Sequence, residues 1–307
     1  MAEECPKNQT RPFALFAIDC TANPRLYADK LEDRSFVHAP NPIPGQKPVT
    51  VGHQYSWVTF LPDDELDKNA HWVLPLSVKR VKFGEKGHLV GMLQLEELIS
   101  DCKENPFFEQ LCVSVTDSAY TVKTCREVAE RNNNWVNISR MRNNQVVFRQ
   151  AESLPKGERS RGRPRLYGES IRLNEASDWD EESEFSYVTK KKKKKVTVQM
   201  KRLNDVLTRG AGQAPFDVLV VTIVDEDGAL LHKKPLILAI SGKRRKELSC
   251  RQIYESYVQR FDIEHYFRFG KQRLLNTSSQ TPDTRHEENW MWISLLAYNM
   301  LYYIREN

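Results

Sequence analysis

The sequence predicts an α/β protein, a mixed sheet flanked by helices, with a β-rich insertion placed before a late helix. Three observations predict it. Phe13 to Ile18 and Leu111 to Thr116 are short, continuous apolar runs, each leading into an aspartate, as strands buried on both faces do. Helical spacing of apolar residues returns between about Ser249 and Arg273. Before that helix, Asp217 to Val224 is too apolar to lie exposed, although much of the preceding stretch is polar.

Taken in order, the first strand covers Phe13 to Ile18 and ends on Asp19. The proline-rich passage with Pro40, Pro42, Pro44 and Pro48 cannot be helix. Strands follow at Tyr55 to Leu61 and Trp72 to Val81. A helix runs from about Leu89 to Lys103, limited by Pro106. Leu111 to Thr116 is the fourth strand and ends on Asp117. A helix from about Thr121 to Arg131 and a strand at Trp135 to Met141 complete this part. Residues 152–186 are mostly polar, and strands resume at Val196 to Met200, Phe216 to Asp225 and Leu236 to Ile240, with a hairpin turn at Asp225 to Gly228. One helix spans about Ser249 to Arg273, and the last covers roughly Glu287 to Arg305. The expected division is an N-terminal extension (1–12), a core in two parts (13–141 and 247–307) and the insertion (142–246).

With 307 residues and 40% hydrophobic content the chain can bury a substantial core. The net charge of +5 is modest, but it is clustered in Lys190 to Lys195 and in Lys243, Arg244, Arg245 and Lys246. Local basic clusters fit a polyanion, and a solvated lysine tract is the competing reading. The cysteines form no CxxC pair and no zinc spacing, consistent with free thiols in a reducing compartment. No apolar stretch approaches the roughly 20 residues that span a bilayer, and the N-terminus does not read as a secretory signal. The expected location is the cytoplasm. A P-loop and a GxSxG elbow are both missing, which lowers nucleotide-dependent and acyl-transfer chemistry.

A strand-end aspartate alone is weak evidence, because aspartate also caps helices and starts turns. The late helix adds to it. At about 100° per residue, Tyr257, Arg260, Glu264 and Lys271 fall in one stripe about 60° wide. Tyr254, Val258 and Phe261 lie beside that stripe, where they can dock the helix on the sheet. A surface ladder joining Arg260 to Glu264 is the plainer reading. Three carboxylates from two strands and a helix could instead hold two divalent ions roughly 3.5–4 Å apart for an in-line phosphoryl displacement.

Tyr257-x2-Arg260-x3-Glu264-x6-Lys271 resembles the Tyr-Arg-Glu-Lys signature of DDE-type bacterial insertion-sequence transposases. Ile18-Asp19-Cys20-Thr21 resembles their first catalytic block and Thr116-Asp117-Ser118-Ala119-Tyr120 the second. The resemblance implies a ribonuclease H-like core with a β-rich insertion before the glutamate helix. It implies that Asp19, Asp117 and Glu264 bind two magnesium or manganese ions, which activate water and then a DNA 3′-hydroxyl for cut-and-paste strand transfer. Tyr257, Arg260 and Lys271 are implied to contact the DNA backbone. The implied partners are double-stranded DNA, at transposon ends and target, and a second copy in a synaptic homodimer, with no membrane and a place at the nucleoid. In related enzymes a tryptophan of the insertion receives a flipped base, and Trp179 matches by position alone, beside the reading of a packed or surface tryptophan. Arg161, Arg163 and Arg165, in Arg161-Gly162-Arg163-Pro164-Arg165, match the core of a minor-groove hook and also fit a flexible basic loop. The family's N-terminal recognition region is not seen before Asp19, so a truncated copy, or recognition by another polypeptide, is expected. A general metal-dependent nuclease and a non-catalytic DNA-binding remnant are the alternatives.

Overall fold

Phe13 to Ile18 are buried on both faces, and the strand they start continues well beyond the apolar run. In the computed structural model, residues 11–39, 45, 47–63, 71–104, 106–151, 165–189, 194–210, 214–279 and 281–306 are described. In chain order the elements begin with β1 (Phe13–Pro24), β2 (Ser35–His38), β3 (Val49–Phe60), β4 (Leu74–Val81), α1 (Gly87–Asp101), α2 (Pro106–Glu109) and β5 (Leu111–Thr116). Next come α3 (Lys123–Arg131), β6 (Trp135–Met141), β7 (Val146–Gln150), β8 (Tyr167–Arg172) and β9 (Glu181–Val188). The remainder are β10 (Lys195–Val206), β11 (Phe216–Val224), β12 (Leu236–Ser241), α4 (Cys250–Gln259), α5 (Asp262–Gln272) and α6 (Thr284–Glu306). They divide into two units, Met1–Thr116 with Val258–Asn307, and Asp117–Tyr257. The boundaries expected near 141 and 246 fall inside the second unit. Among the described residues no helix is long and apolar enough to cross a membrane.

The first unit is a mixed α/β layer structure, compatible with a ribonuclease H-like core. β1 pairs antiparallel with β3 and parallel with β5, and β3 pairs antiparallel with β4 and β2. The strand does not end on Asp19 as expected. β3 supplies backbone partners as far as Pro24↔Gly52, so ladder hydrogen bonds carry the strand past the apolar run. Strand alternation then sorts the side chains. Asp19, Thr21 and Asn23 share a face with their partners Trp57, Tyr55 and His53. Cys20 takes the opposite face, where α1 comes so near that a Cβ on Gly87 would lie 2.9 Å from its Sγ.

The Asp19 face is covered by α5 and α6. In α5, Ile263, Tyr266 and Gly270 are buried at i, i+3 and i+7 spacing. The Tyr266 ring meets Trp57 of β3 edge-on at 5.3 Å and Tyr298 of α6 at 4.7 Å. These contacts fix α5 against the strand pair. From α6, Glu287 enters fully buried and gathers donors from both strands. Asn23 Nδ2 donates to its Oε1 at 2.9 Å, Tyr55 Oη donates at 2.8 Å, and His53 Nδ1 lies 2.9 Å away. Arg25 Nε stands 3.4 Å from Oε2.

The second unit is an antiparallel sheet in the order β6, β12, β11, β10, β9, with α3 against β6 and β12, and a β7–β8 hairpin. Its core includes Met141, Val147, Leu203, Phe216, Val218 and Ile237. β10 runs well beyond the expected Val196 to Met200. β8 and β9 form inside the passage read as polar, and both are largely exposed. Asp217 is fully buried and accepts from Arg202 Nη2 at 2.6 Å and Arg245 Nε at 2.9 Å.

Two stability outcomes follow from the first unit. The Glu287 carboxyl is held below its ordinary pKa; burial opposes this, and the His53, Tyr55 and Asn23 hydrogen bonds outweigh it. Its stabilisation is therefore complete above the unfolded pKa of roughly 4.3 and is lost as pH falls through the lower folded value. Glu287→Ala leaves buried donors and Arg25 unpaired, and chemical denaturation at neutral pH should show a loss of about 3–5 kcal/mol. Tyr266 Oη is buried with no hydrogen-bond partner among the described residues. Tyr266→Phe should be neutral or stabilising by up to about 1 kcal/mol, whereas Tyr266→Ala should cost about 3–5 kcal/mol. A destabilised Phe variant would contradict that docking geometry.

Candidate active site

Asp19 sits where β1 leaves its fully buried stretch, on the face that α5 covers. Its Oδ1 accepts the Cys20 N–H at 2.8 Å, and its Oδ2 lies 3.2 Å from Arg260 Nη1. The same guanidinium donates through Nη2 to Glu264 Oε1, also at 3.2 Å. Arg260 is buried and Glu264 is about half exposed. Two of the three expected carboxylates therefore converge on one cation. Without it they would repel, since like charges that close disfavour joint ionisation.

Tertiary docking brings Glu264 there. Tyr266 holds α5 on Trp57 of β3, and Glu264 follows the buried Ile263 in the first turn of the same helix. The expected single helix from Ser249 to Arg273 is corrected here: α4 ends at Gln259 and α5 begins at Asp262. Between them the chain tightens into i→i−3 bonds, with Phe261 N–H to Val258 O, Ile263 N–H to Arg260 O and Glu264 N–H to Phe261 O. That tighter turn breaks the continuous angular register on which the stripe was drawn. As a result Val258 and Phe261, expected to anchor the helix, are 45% and 48% exposed, while Tyr257 is buried in α4 at 3%.

Asp117 follows the last residue of β5 and opens the second unit. Its Oδ1 accepts the Ala119 N–H at 2.8 Å, capping the short turn Ser118–Thr121. In the parallel register Ala17 pairs with Val115, and in sequence Asp19 and Asp117 each follow that pair by two residues. Among the described residues no group of three or more His, Cys, Asp or Glu side chains is close enough to hold a metal ion. The two carboxylates that do converge offer hard oxygen donors, the kind that magnesium or manganese takes.

Lys271 lies in the last turn of α5, half-buried, and burial pushes its ammonium pKa down. Arg165 is exposed, and Arg161 and Arg163 lie outside the described residues. Of the lysine run, Lys194 and Lys195 are exposed and the rest lie outside the described residues. Trp179 is half-buried and packs against the second unit's core. The basic cluster Lys243 to Lys246, read as a polyanion contact, is largely used internally. Arg244 pairs with Glu247 at 2.6 Å, Arg245 with Asp217 at 2.9 Å, and Lys246 with Asp205. Lys243 donates to Asn133 Oδ1 at 2.6 Å.

One group was not anticipated from sequence. At the start of α5, His71 Nδ1 lies 2.6 Å from Asp262 Oδ1, and the His71 and His265 rings stack at 4.4 Å. Burial raises the Asp262 pKa against the pull of both histidines. His265 adjoins Glu264, which was a usable signal, but nothing in the local sequence marks His71 as its partner.

Among curated proteins none matches the chain. Residues 6–205 match the family model described as DDE superfamily endonuclease, a family that acts on DNA and typically uses divalent metals. That match spans well over half of the sequence and contains both aspartates, so the chain belongs to the DDE superfamily of endonucleases.

Proposed function

We propose that the chain is an insertion-sequence transposase that cuts DNA strands and joins them to a target, using Asp19, Asp117 and Glu264 on a ribonuclease H-like core with a β-rich insertion. The observation that carries this reading is the convergence of Asp19 and Glu264 on Arg260, at 3.2 Å each. An endonuclease family supplies the substrate class, and the spacing of Tyr257, Arg260, Glu264 and Lys271 supplies the narrower group.

In this reading Asp19, Asp117 and Glu264 would hold two magnesium or manganese ions, whose chemistry would be activation of an oxygen nucleophile and neutralisation of charge on the phosphoryl group. The chain's own groups do the rest. Arg260 keeps two anions together before the ions arrive and presents a guanidinium fork suited to phosphate oxygens. Lys271 carries a partly desolvated ammonium, which gains when a phosphate comes beside it. Tyr257 belongs to the same signature and acts from a buried position, steadying the segment that leads to Arg260. Arg161, Arg163 and Arg165 follow the DNA groove, Trp179 is the residue assigned to a flipped base, and two copies synapse two ends at the nucleoid.

Nicking of a supercoiled plasmid with manganese tests the proposal. Glu264→Gln should lower the rate at least about a hundredfold, as loss of several kcal/mol of metal-derived charge stabilisation requires. Faster cleavage of duplexes carrying the element's ends than of scrambled ones separates a transposase from a general nuclease. Equal nicking by both proteins, or none by either while folded, would overturn the proposed site.

A further inference from the structure

The described residues include five buried arginines, Arg25, Arg126, Arg202, Arg245 and Arg260. Four of them meet carboxylates: Arg25 with Glu287, Arg202 and Arg245 with Asp217, and Arg260 with Asp19 and Glu264. Arg126 of α3 does not. It is 4% exposed, and among the described residues no Asp or Glu forms an ion pair with it. Its Nη2 donates to Thr208 Oγ1 at 2.6 Å, its guanidinium lies 4.5 Å from the Phe216 ring centre, and its Nε is buried with no hydrogen-bond partner among the described residues. Burial lowers its pKa to about 10, the mark of a cation whose lost hydration is not replaced.

A hydroxyl and a ring face compensate a buried guanidinium only in part. The segment holding that hydroxyl is fixed in place. Leu207 and Phe148 exchange both backbone hydrogen bonds, and the Gly210 N–H donates to Tyr167 Oη at 2.9 Å. Arg209, the residue after Thr208, is exposed and lies over the Phe148 ring at 5.6 Å. The second unit therefore sets a buried cation of α3 against a hydroxyl just beyond β10, with a second cation on the residue that follows.

We propose that Arg126, Thr208 and Arg209 form an anion site that takes a phosphate oxyanion, and that in the working protein the phosphate belongs to a DNA backbone. The DNA assignment rests on the proposed function, whereas oxyanion binding does not. A phosphate supplies what the site lacks, a negative charge for the guanidinium, and the Thr208 hydroxyl can donate to it.

Thermal unfolding of the full chain, in sodium phosphate and in sodium chloride of equal ionic strength, tests the site directly. Wild type should melt a few degrees higher in phosphate, as a ligand of the folded state requires. Arg126→Met should lose that difference and, in chloride, be at least as stable as wild type, because an uncompensated buried charge has gone. Phosphate also stabilises proteins by exclusion, so an equal rise in both proteins overturns the site, as does no rise in wild type. If the Met variant does not fold, Thr208→Val replaces it and should weaken the phosphate response. A second arm measures binding of a scrambled duplex against salt. Loss of the contact should reduce the log–log slope by about one. A phosphate response with an unchanged slope assigns the site to free phosphate and overturns the DNA part. The phosphate arm does not depend on nicking, so failure of the transposase reading leaves it readable.

Discussion

Arg260 holds Asp19 and Glu264 within 3.2 Å of one guanidinium, and this ion triad depends on how α5 is fixed to the first unit's sheet. Two carboxylates at that separation repel. What prevents them from parting is the apolar contact beneath them, where Tyr266 packs on Trp57, the β3 partner of Asp19, beside the buried Ile263 of the same helix. Further along the same strands, Glu287 ties Asn23, His53 and Tyr55 to α6. The register that places Asp19 is thus pinned on one side by aromatic packing and on the other by a buried polar hub. Such a hub holds position well because removing any one partner leaves another unsatisfied.

The second unit uses charge differently. Asp217 has no exposure and is enclosed by Arg202 and Arg245, so the basic cluster that looks available in sequence is mostly committed to the fold. Arg126 stands apart as the buried cation left to a hydroxyl and a ring. In both units a buried carboxylate collects donors from several elements. Asp217 accepts from two arginines, whereas Glu287 takes its hydrogen bonds at Oε1 and faces Arg25 with Oε2 at 3.4 Å. Glu264 is half exposed and shares its one arginine with another carboxylate.

Much of this was legible in the sequence where burial is two-sided. β5 and β6 appear at the residues expected, β5 because its mostly apolar run marks a strand without reference to partners. β1 was foreshortened because its outer half is held by pairing with β3, which no local pattern records. β8 and β9 were missed since their faces are largely exposed and leave no apolar alternation. The ladder from Arg260 to Glu264 read from the sequence is present. The break at Arg260 and Phe261 was not visible, for neither proline nor glycine stands there. It is a tertiary compromise that buries Tyr257 on one side and Ile263 on the other, and it exposes Val258 and Phe261.

If the carboxylates gathered by Arg260 form the proposed metal-dependent phosphoryl-transfer site, they bind manganese when DNA is present. Anomalous diffraction from crystals grown with manganese and a short duplex tests it most directly. Manganese should be bound by Asp19 and Glu264, with the Arg260 guanidinium turned from them toward a phosphate. Manganese absent from those carboxylates, with Arg260 still bridging them beside bound DNA, would contradict it.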